Sequence, residues 1–419
     1  MKIAVITNSF PKLCETYVLD HITGLIDRGH DVQVIARSDP QEPFAHGKIQ
    51  IYGLSSKTVY VDPPTNWPTR LRYALRIFSR HVRTHRRELI KALDVRTYGR
   101  AALTLQTTFF LEPFLDTTFD VVHCHFGRNG LLFAFLKDLF DGFPLVVTYH
   151  GGDIMKRQYQ TPGLYTNMFR KADLITAGSH FALQKVIQAG CPAEKATRIP
   201  MGVDVELYRL AERHPPEDGM VRILTTARLI EVKGHRYAIQ AIGELSRRYR
   251  LRYDIVGDGP LESELRQMVA HLGLENTVFL LGQKTRQELI DLYHQAHIFL
   301  MASYTTEGSV AESQNVTLIE AQATGLPVVA TRHNGFPDSV VEGQTAFLAA
   351  EKDAGALAKE IERMIQVADR WPEMGRAGRA FVVKNFDHHK LAEQWESHYN
   401  VLIRRCRSKE MDLCVEERA

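Results

Sequence analysis

The chain alternates between short unbroken apolar runs and longer stretches in which apolar residues recur three and four apart. KIAVIT near the start reads as a buried strand, ETYVLDHITGLIDRG as a helix ending at Gly29, and HDVQVIA as the next strand. A strand without polar alternation is covered on both faces, so this βαβ opening predicts a parallel sheet flanked by helices. The rhythm returns in FDVVHCHF, a helix from Gly130, PLVVTYHGGD, a helix near Ala172, and DLITAGS. Pro200 and Gly202 in RIPMGVD interrupt the periodicity and mark a linker. A second series follows in VRILTTARL, RYDIVGDG, TVFLLG, AHIFLMAS, LPVVAT and TAFLA, with helices between them. The pattern closes on an amphipathic helix over 386–405 that contains Trp395 and Tyr399. The expected architecture is two doubly wound α/β domains, 1–202 and 203–385, facing each other across a cleft, with 386–419 packing back toward the first. Ligands of such sheets sit beyond the carboxyl ends of the strands, so chemistry is expected just after each apolar run.

One stretch lacks this rhythm. In residues 69–100, Leu71, Leu75, Phe78, Val82 and Leu89 recur at helical spacing, and ten Lys and Arg stand against two acids, Glu88 and Asp94. Two readings stay open: a solvated basic helical hairpin, or a basic amphipathic surface leaning on anionic lipid. Nucleic acid is disfavoured, because no aromatic-and-basic platform accompanies the charge. The chain's 419 residues, 44% hydrophobic and 24% charged, exceed one ordinary core, and no run of about 18 apolar residues is present to cross a bilayer. The N-terminus lacks the layout of a signal peptide. Five cysteines, an odd number with no CxxC, argue against a disulfide framework or a structural zinc site and fit a reducing cytoplasm.

Several strand ends carry candidate chemistry. Arg228 and Lys233, five apart after RILTTA, can clamp a diphosphate, the first by its planar fork and the second as a point charge; a solvated pair would look the same. Gly257 and Gly259 suit either a tight turn or close approach to a ligand. Gly282 and Gln283 follow the next strand, where backbone groups can read the edge of a base. A short helix is expected over 317–324, with Gly325 as its C′ residue and Pro327 opening the next strand. Its N-terminus at Asn315 to Thr317 presents free N–H groups and the positive end of the helix dipole, a prepared anion site. Glu320 lies about one turn inside and can reach hydroxyls beside the phosphates. Glu312, in the preceding loop, can accept hydrogen bonds from a sugar. Two acids chelating a metal is the rival reading, but no DxD-type cluster lies nearby.

Taken in order, these motifs resemble the retaining GT-B glycosyltransferases of family 4. The resemblance rests on Glu312 and Glu320 as a Glu-x7-Glu pair, GLPVVAT at 325–331, Arg228 with Lys233, VGDGP at 256–260, IPMGVD at the linker, and TYHGGD at 148–153. FPKLCET at 10–16 and HCHFG at 123–127 are similar to the subgroup that builds bacterial exopolysaccharide and lipopolysaccharide. The resemblance implies two Rossmann-like domains across a cleft and transfer of a hexose from a nucleotide diphosphate sugar, a UDP-sugar by expectation, to a glycan or lipid-linked saccharide with retained stereochemistry and no metal or other cofactor. It implies that Arg228 and Lys233 hold the diphosphate and Glu320 the ribose. Glu312 and the backbone of Ser313, Gln314, Asn315 and Val316, with Thr317, would hold the sugar. His150 would lie near the anomeric carbon, with Glu15, His125 and Asp153 on the acceptor side. Two departures stand out. The family's Glu-Gly-Phe-Gly is Glu312-Ser313-Gln314-Asn315 here, which leaves the donor sugar open and offers Gln314 and Asn315 as hydroxyl partners. The usual GGxP is Asn334-Gly335-Phe336-Pro337. YTTEGSVA before Glu312 can cover the sugar, and Glu307 within it has no assigned role. A nucleotide-sugar 2-epimerase, betrayed by a free epimer or glycal, and a non-catalytic sugar-nucleotide-binding module are the alternatives.

Overall fold

The computed structural model describes residues 1–12, 15–41, 47–140, 142–155, 161–307 and 311–416. Leu13 and Cys14 of the FPKLCET run, and Gly308, Ser309 and Val310 of YTTEGSVA, lie outside the described residues.

The chain builds two sheets. The first comprises β1 (Lys2–Ser9), β2 (Asp31–Ser38), β3 (Thr58–Tyr60), β4 (Val121–His125), β5 (Leu145–Tyr149), β6 (Leu174–Ala177) and β7 (Ala196–Arg198), ordered β3-β2-β1-β4-β5-β6-β7. The second comprises β8 (Val221–Thr226), β9 (Leu251–Val256), β10 (Val278–Gly282), β11 (Ile298–Met301), β12 (Val328–Thr331) and β13 (Ala346–Ala349), ordered β10-β9-β8-β11-β12-β13. Every pairing between these strands is parallel. All residues of β4, β5, β11 and β12 are buried, as strands covered by helices on both faces must be. Each sheet reverses its order beside its first strand, between β1 and β4 and between β8 and β11. The loops there diverge and leave a crevice at the carboxyl ends.

Eleven of the thirteen strands coincide with apolar runs legible in the sequence. The other two, β3 and β7, are three-residue edge strands. Small boundary shifts separate expectation from structure. The helix expected from Gly130 starts at Gly127, the helix expected over 317–324 is Val316–Ala323, and the last helix is His388–Glu416. That last helix crosses back to the first sheet. Trp395, Tyr399, Leu402 and Ile403 share a core with Ile3, Val18, Leu19 and Ile22, and Arg28 pairs with Glu396 at its rim. No helix among the described residues is long and apolar enough to cross a membrane.

Candidate active site

On the N-terminal side, β4 and β5 end in three histidines. His123 and His125 point to one face of β4 because strand side chains alternate, and His150 follows the last residue of β5. A ring-to-ring chain joins them. His150 Nε2 lies 2.9 Å from His125 Nδ1, and His125 Nε2 lies 2.9 Å from His21 Nδ1 on the helix Thr16–Asp27. His21 Nε2 meets the Tyr399 hydroxyl at 3.2 Å, which meets His123 Nδ1 at 2.6 Å, and His123 Nε2 reaches Thr148 Oγ1 at 2.7 Å. A neutral imidazole has one donor and one acceptor nitrogen, so the bonds that link His150, His125 and His21 share one orientation. Burial holds all four imidazoles well below their ordinary pKa, with His125 at about 3, and in His21, His123 and His150 the neighbouring imidazoles push in the same direction. His150 is packed between Tyr17, His125 and Phe126, and its Nδ1 has no partner among the described residues. That leaves one nitrogen of an uncharged ring to meet a ligand. Beside it, between β4, β5, the linker at Ile199 to Gly202 and the last helix, opens a narrow cavity of about 30 Å3.

On the C-terminal side, the crevice between β8 and β11 holds the charged groups. After β8 the chain turns through Arg228 and a short helix, Glu231–Lys233, to Gly234. Gly234 sits at φ +65°, and a Cβ there would lie 1.9 Å from the carbonyl of Ala302 after β11. This close approach puts Lys233 against Glu312, where its ammonium pairs with Oε1. Ser303 Oγ donates to Glu312 Oε2 at 2.7 Å and Asn315 Nδ2 at 3.2 Å. Burial pushes the Glu312 carboxyl up, but Lys233 and Ser303 outweigh it and hold it below the usual range. His333 Nε2 accepts the Glu312 N–H at 2.9 Å while its Nδ1 meets Glu351 at 2.6 Å. The Arg228 guanidinium makes no hydrogen bond or ion pair among the described residues. Asn315 caps the helix Val316–Ala323 by accepting from the N–H of Leu318. The N–H groups of Val316 and Thr317 are left to be satisfied from outside the helix. A free guanidinium, a lysine and a helix N-terminus around one crevice suit a bound polyanion.

The two sides touch through the altered loop. Ser313 Oγ bonds Ser179 Oγ at 2.8 Å, and a Cβ on Gly151 would come within 2.6 Å of the Ser313 Cβ. Gln314 accepts the N–H of Met201 at 2.8 Å and donates to its carbonyl at 3.0 Å, so its amide clasps the linker. His180 and Asp338 pair at the rim. Gln314 and Asn315 were expected to offer hydroxyl contacts to a sugar. Instead, Gln314 spends both ends of its amide on the linker and Asn315 spends its own on the helix and Glu312. Gln314→Ala would leave the N–H and carbonyl of Met201 buried without partners, at a cost of about 2 kcal/mol. Thermal unfolding should show the drop; an unchanged melting temperature would mean that water replaces the amide.

Other expectations need similar correction. Gly257 and Gly259, at φ +135° and +154°, are required by the neighbouring loop: a Cβ would fall 2.1 Å from the Ala227 carbonyl and 2.5 Å from that of Leu229. Gly282 gives its carbonyl to the Gly257 N–H, and the Gln283 amide goes to Asp258. Asp153 accepts the N–H groups of Gly127 at 2.7 Å and His150 at 3.0 Å, so it anchors the His150 loop rather than facing an acceptor; burial raises its pKa to about 6 against those bonds. Glu15 pairs with Lys12 in a shallow crevice separate from the cavity that His150 lines. Glu320 accepts from Tyr208 at 2.7 Å and Tyr293 at 3.0 Å, and burial raises its pKa. Each carboxylate oxygen keeps a second lone pair for a ligand. Glu307 is exposed. Sequence reasoning missed His21, Tyr399, Ser303 and His333.

Comparison with known proteins agrees with this geometry. Residues 14–207 match the model of Glycosyltransferase Family 4 and residues 209–381 that of Glycosyl transferases group 1. The amylovoran biosynthesis glycosyltransferase AmsK of Erwinia amylovora is 33% identical over 402 residues, spanning 93% of this chain and 97% of its own. WcaL of Salmonella typhimurium, whose name places it in colanic acid biosynthesis, is 32% identical over 409 residues, spanning 95% and 99%. Among solved structures, Anabaena Alr3699/HepE in complex with UDP superposes with a TM-score of 0.70 at 19% identity, covering 96% of this chain and 100% of that one. With two Rossmann-like parallel sheets in the GT-B arrangement and relatives of this identity along nearly its whole length, the chain belongs to glycosyltransferase family 4.

Proposed function

We propose that the chain transfers a hexose from a UDP-sugar to a hydroxyl of a growing exopolysaccharide or its lipid-linked precursor, with retained stereochemistry. The single observation that carries this reading is the polyanion crevice of Arg228, Lys233 and the helix Val316–Ala323, closed by Ser313 against the His150 loop. The names of AmsK and WcaL support the pathway class, and HepE, solved with UDP and with UDP-glucose, supports the donor. As the glycosidic bond breaks, negative charge builds on the diphosphate, and the guanidinium, the ammonium and the helix N-terminus stabilise it where it forms. The sugar meanwhile becomes oxocarbenium-like. A charged imidazole beside it would oppose that, whereas the neutral His150 ring does not. The acceptor oxygen bonds to the anomeric carbon on the face the diphosphate leaves, and its proton passes to the departing phosphate oxygen.

Thermal-shift and slow-hydrolysis assays with UDP-, GDP- and ADP-sugars, each with and without EDTA, test the donor class. The expected result is a shift with UDP-sugars alone that EDTA leaves unchanged and Arg228→Ala abolishes. Because Arg228 has no partner within the described chain, the variant should melt like wild type without ligand. A shift confined to GDP- or ADP-sugars would replace the donor, and no shift at all would overturn the reading.

A further inference from the structure

We infer that the helix Trp67–His81, with the turn and helix Arg86–Ala92 that follow, is a docking surface for an anionic lipid bilayer. At about 100° per residue, the helix Trp67–His81 divides into three sectors. Ala74, Ile77 and His81 are buried, and Ala74 and Ile77 share a core with Leu89, Phe109 and Phe110. The neighbouring sector, about 80° wide, runs Trp67, Leu71, Leu75, Phe78 and on into Val82. Phe78 leans on that core, but Trp67 is 49% exposed, Leu71 45%, Leu75 61% and Val82 40%. Beyond it lie Arg72, Arg76, Arg80 and Arg83, all exposed. Of the apolar stripe seen in the sequence, Leu71, Leu75 and Val82 are therefore exposed, while Leu89 is buried and Phe78 half-buried.

Ile90, Leu93, Val95 and Leu103 on the segments that follow are exposed as well. Of all the exposed large apolar residues described, more than half fall between Trp67 and Leu103, which is far from a random scatter. Charge points to the occupant. Residues 69–100 hold ten Lys and Arg against two acids, whereas the rest of the chain holds 42 against 47. An apolar stripe that starts at Trp67 and is bordered by arginines is what an interfacial helix needs to lie at an anionic headgroup layer. A second copy would set arginine against arginine, and a polyanion such as nucleic acid would leave Leu71 and Leu75 in water.

The placement is fixed rather than floppy. Arg70 donates to the carbonyls of Pro64 at 2.7 Å and Thr104 at 3.3 Å, and Tyr60, at the carboxyl end of β3, donates to the carbonyl of Phe10 in the loop after β1. The surface thus leaves the sheet at the cleft end, where a bilayer-held acceptor would enter. The docking itself does not depend on the donor assignment above.

The test is sedimentation of the full chain with phosphatidylcholine vesicles, with and without phosphatidylglycerol as the anionic lipid. Binding should require the anionic lipid and weaken with salt. Leu71→Asn/Leu75→Asn should lower it at least tenfold. Arg72→Gln/Arg76→Gln/Arg83→Gln should lower it roughly 100-fold, about fivefold per arginine. Both variants change exposed side chains and should melt like wild type. Binding indifferent to phosphatidylglycerol would overturn the inference. So would leucine variants that bind undiminished while RNA competes, which would mark a polyanion site, and so would concentration-dependent dimerisation abolished by the leucine variants.

Discussion

Lys233→Ala should lower kcat/KM by about 100- to 1000-fold, the loss typical of one group that stabilises transition-state charge. It should also destabilise the fold. Lys233 and Glu312 are mostly buried, and removing one partner of such a pair leaves a charge in a poorly solvated site, at a cost of about 3–5 kcal/mol. A loss of activity alone would therefore be ambiguous, and the double variant Lys233→Ala/Glu312→Gln resolves it. With no charge left on either side, the double variant should recover most of the melting temperature. It should recover none of the activity, because the diphosphate still lacks its cation. Recovery of activity with stability would demote Lys233 to a structural partner of Glu312. An ammonium has three N–H donors, so Lys233 can keep Glu312 while it meets a phosphate. Donor binding then need not break the pair.

How much of this was legible in the sequence depended on whether the cause was local. Strand cores and the helix Val316–Ala323 declared themselves through unbroken apolar runs, Asn315 as a cap, and Gly325 as the C′ residue at φ +84°. The order of charged groups after β8 and β11 was visible, and the topology puts both loops at the sheet's switch point. The partners of those groups were not visible. His21 and Tyr399 lie 378 residues apart, and nothing short of the last helix crossing back to the first sheet could have joined them. The one available signal was the spacing of two between His123 and His125. Ser313 and Gln314 were misread for a related reason: their role is set by how one domain meets the other. The glycines at 257 and 259 stayed undecided because a tight turn, a close approach to a ligand and a close approach to a neighbouring loop look alike in sequence.

The imidazole chain also dictates how the protein responds to acid. His21, His123, His125 and His150 have depressed pKa values in the folded state, and burial holds His235 and His297 at about 4. In the unfolded chain each returns to the ordinary value near 6.5. Below that pH the unfolded state takes up protons that the folded state refuses, so stability is full above about pH 6.5 and falls as pH falls. Asp153, raised to about 6, and Glu320, also raised, work in the opposite direction, since the folded state binds their protons more readily. For these eight groups the net excess is roughly four protons, or about 5 kcal/mol per pH unit at about 1.4 each, and His30, His388 and His398, also depressed by burial, add to it. Against a total stability of about 5–15 kcal/mol, that predicts cooperative unfolding between about pH 6 and 4. Urea unfolding at half-unit steps from pH 7.5 to 5 should show a plateau above 6.5 and a steep decline below. His123→Asn, which keeps a polar side chain in the network but cannot be protonated, should reduce that slope by about one proton. Stability that stays flat to pH 5 would mean the four rings titrate in the folded state, and the neutral His150 on which the sugar chemistry depends would fall with it.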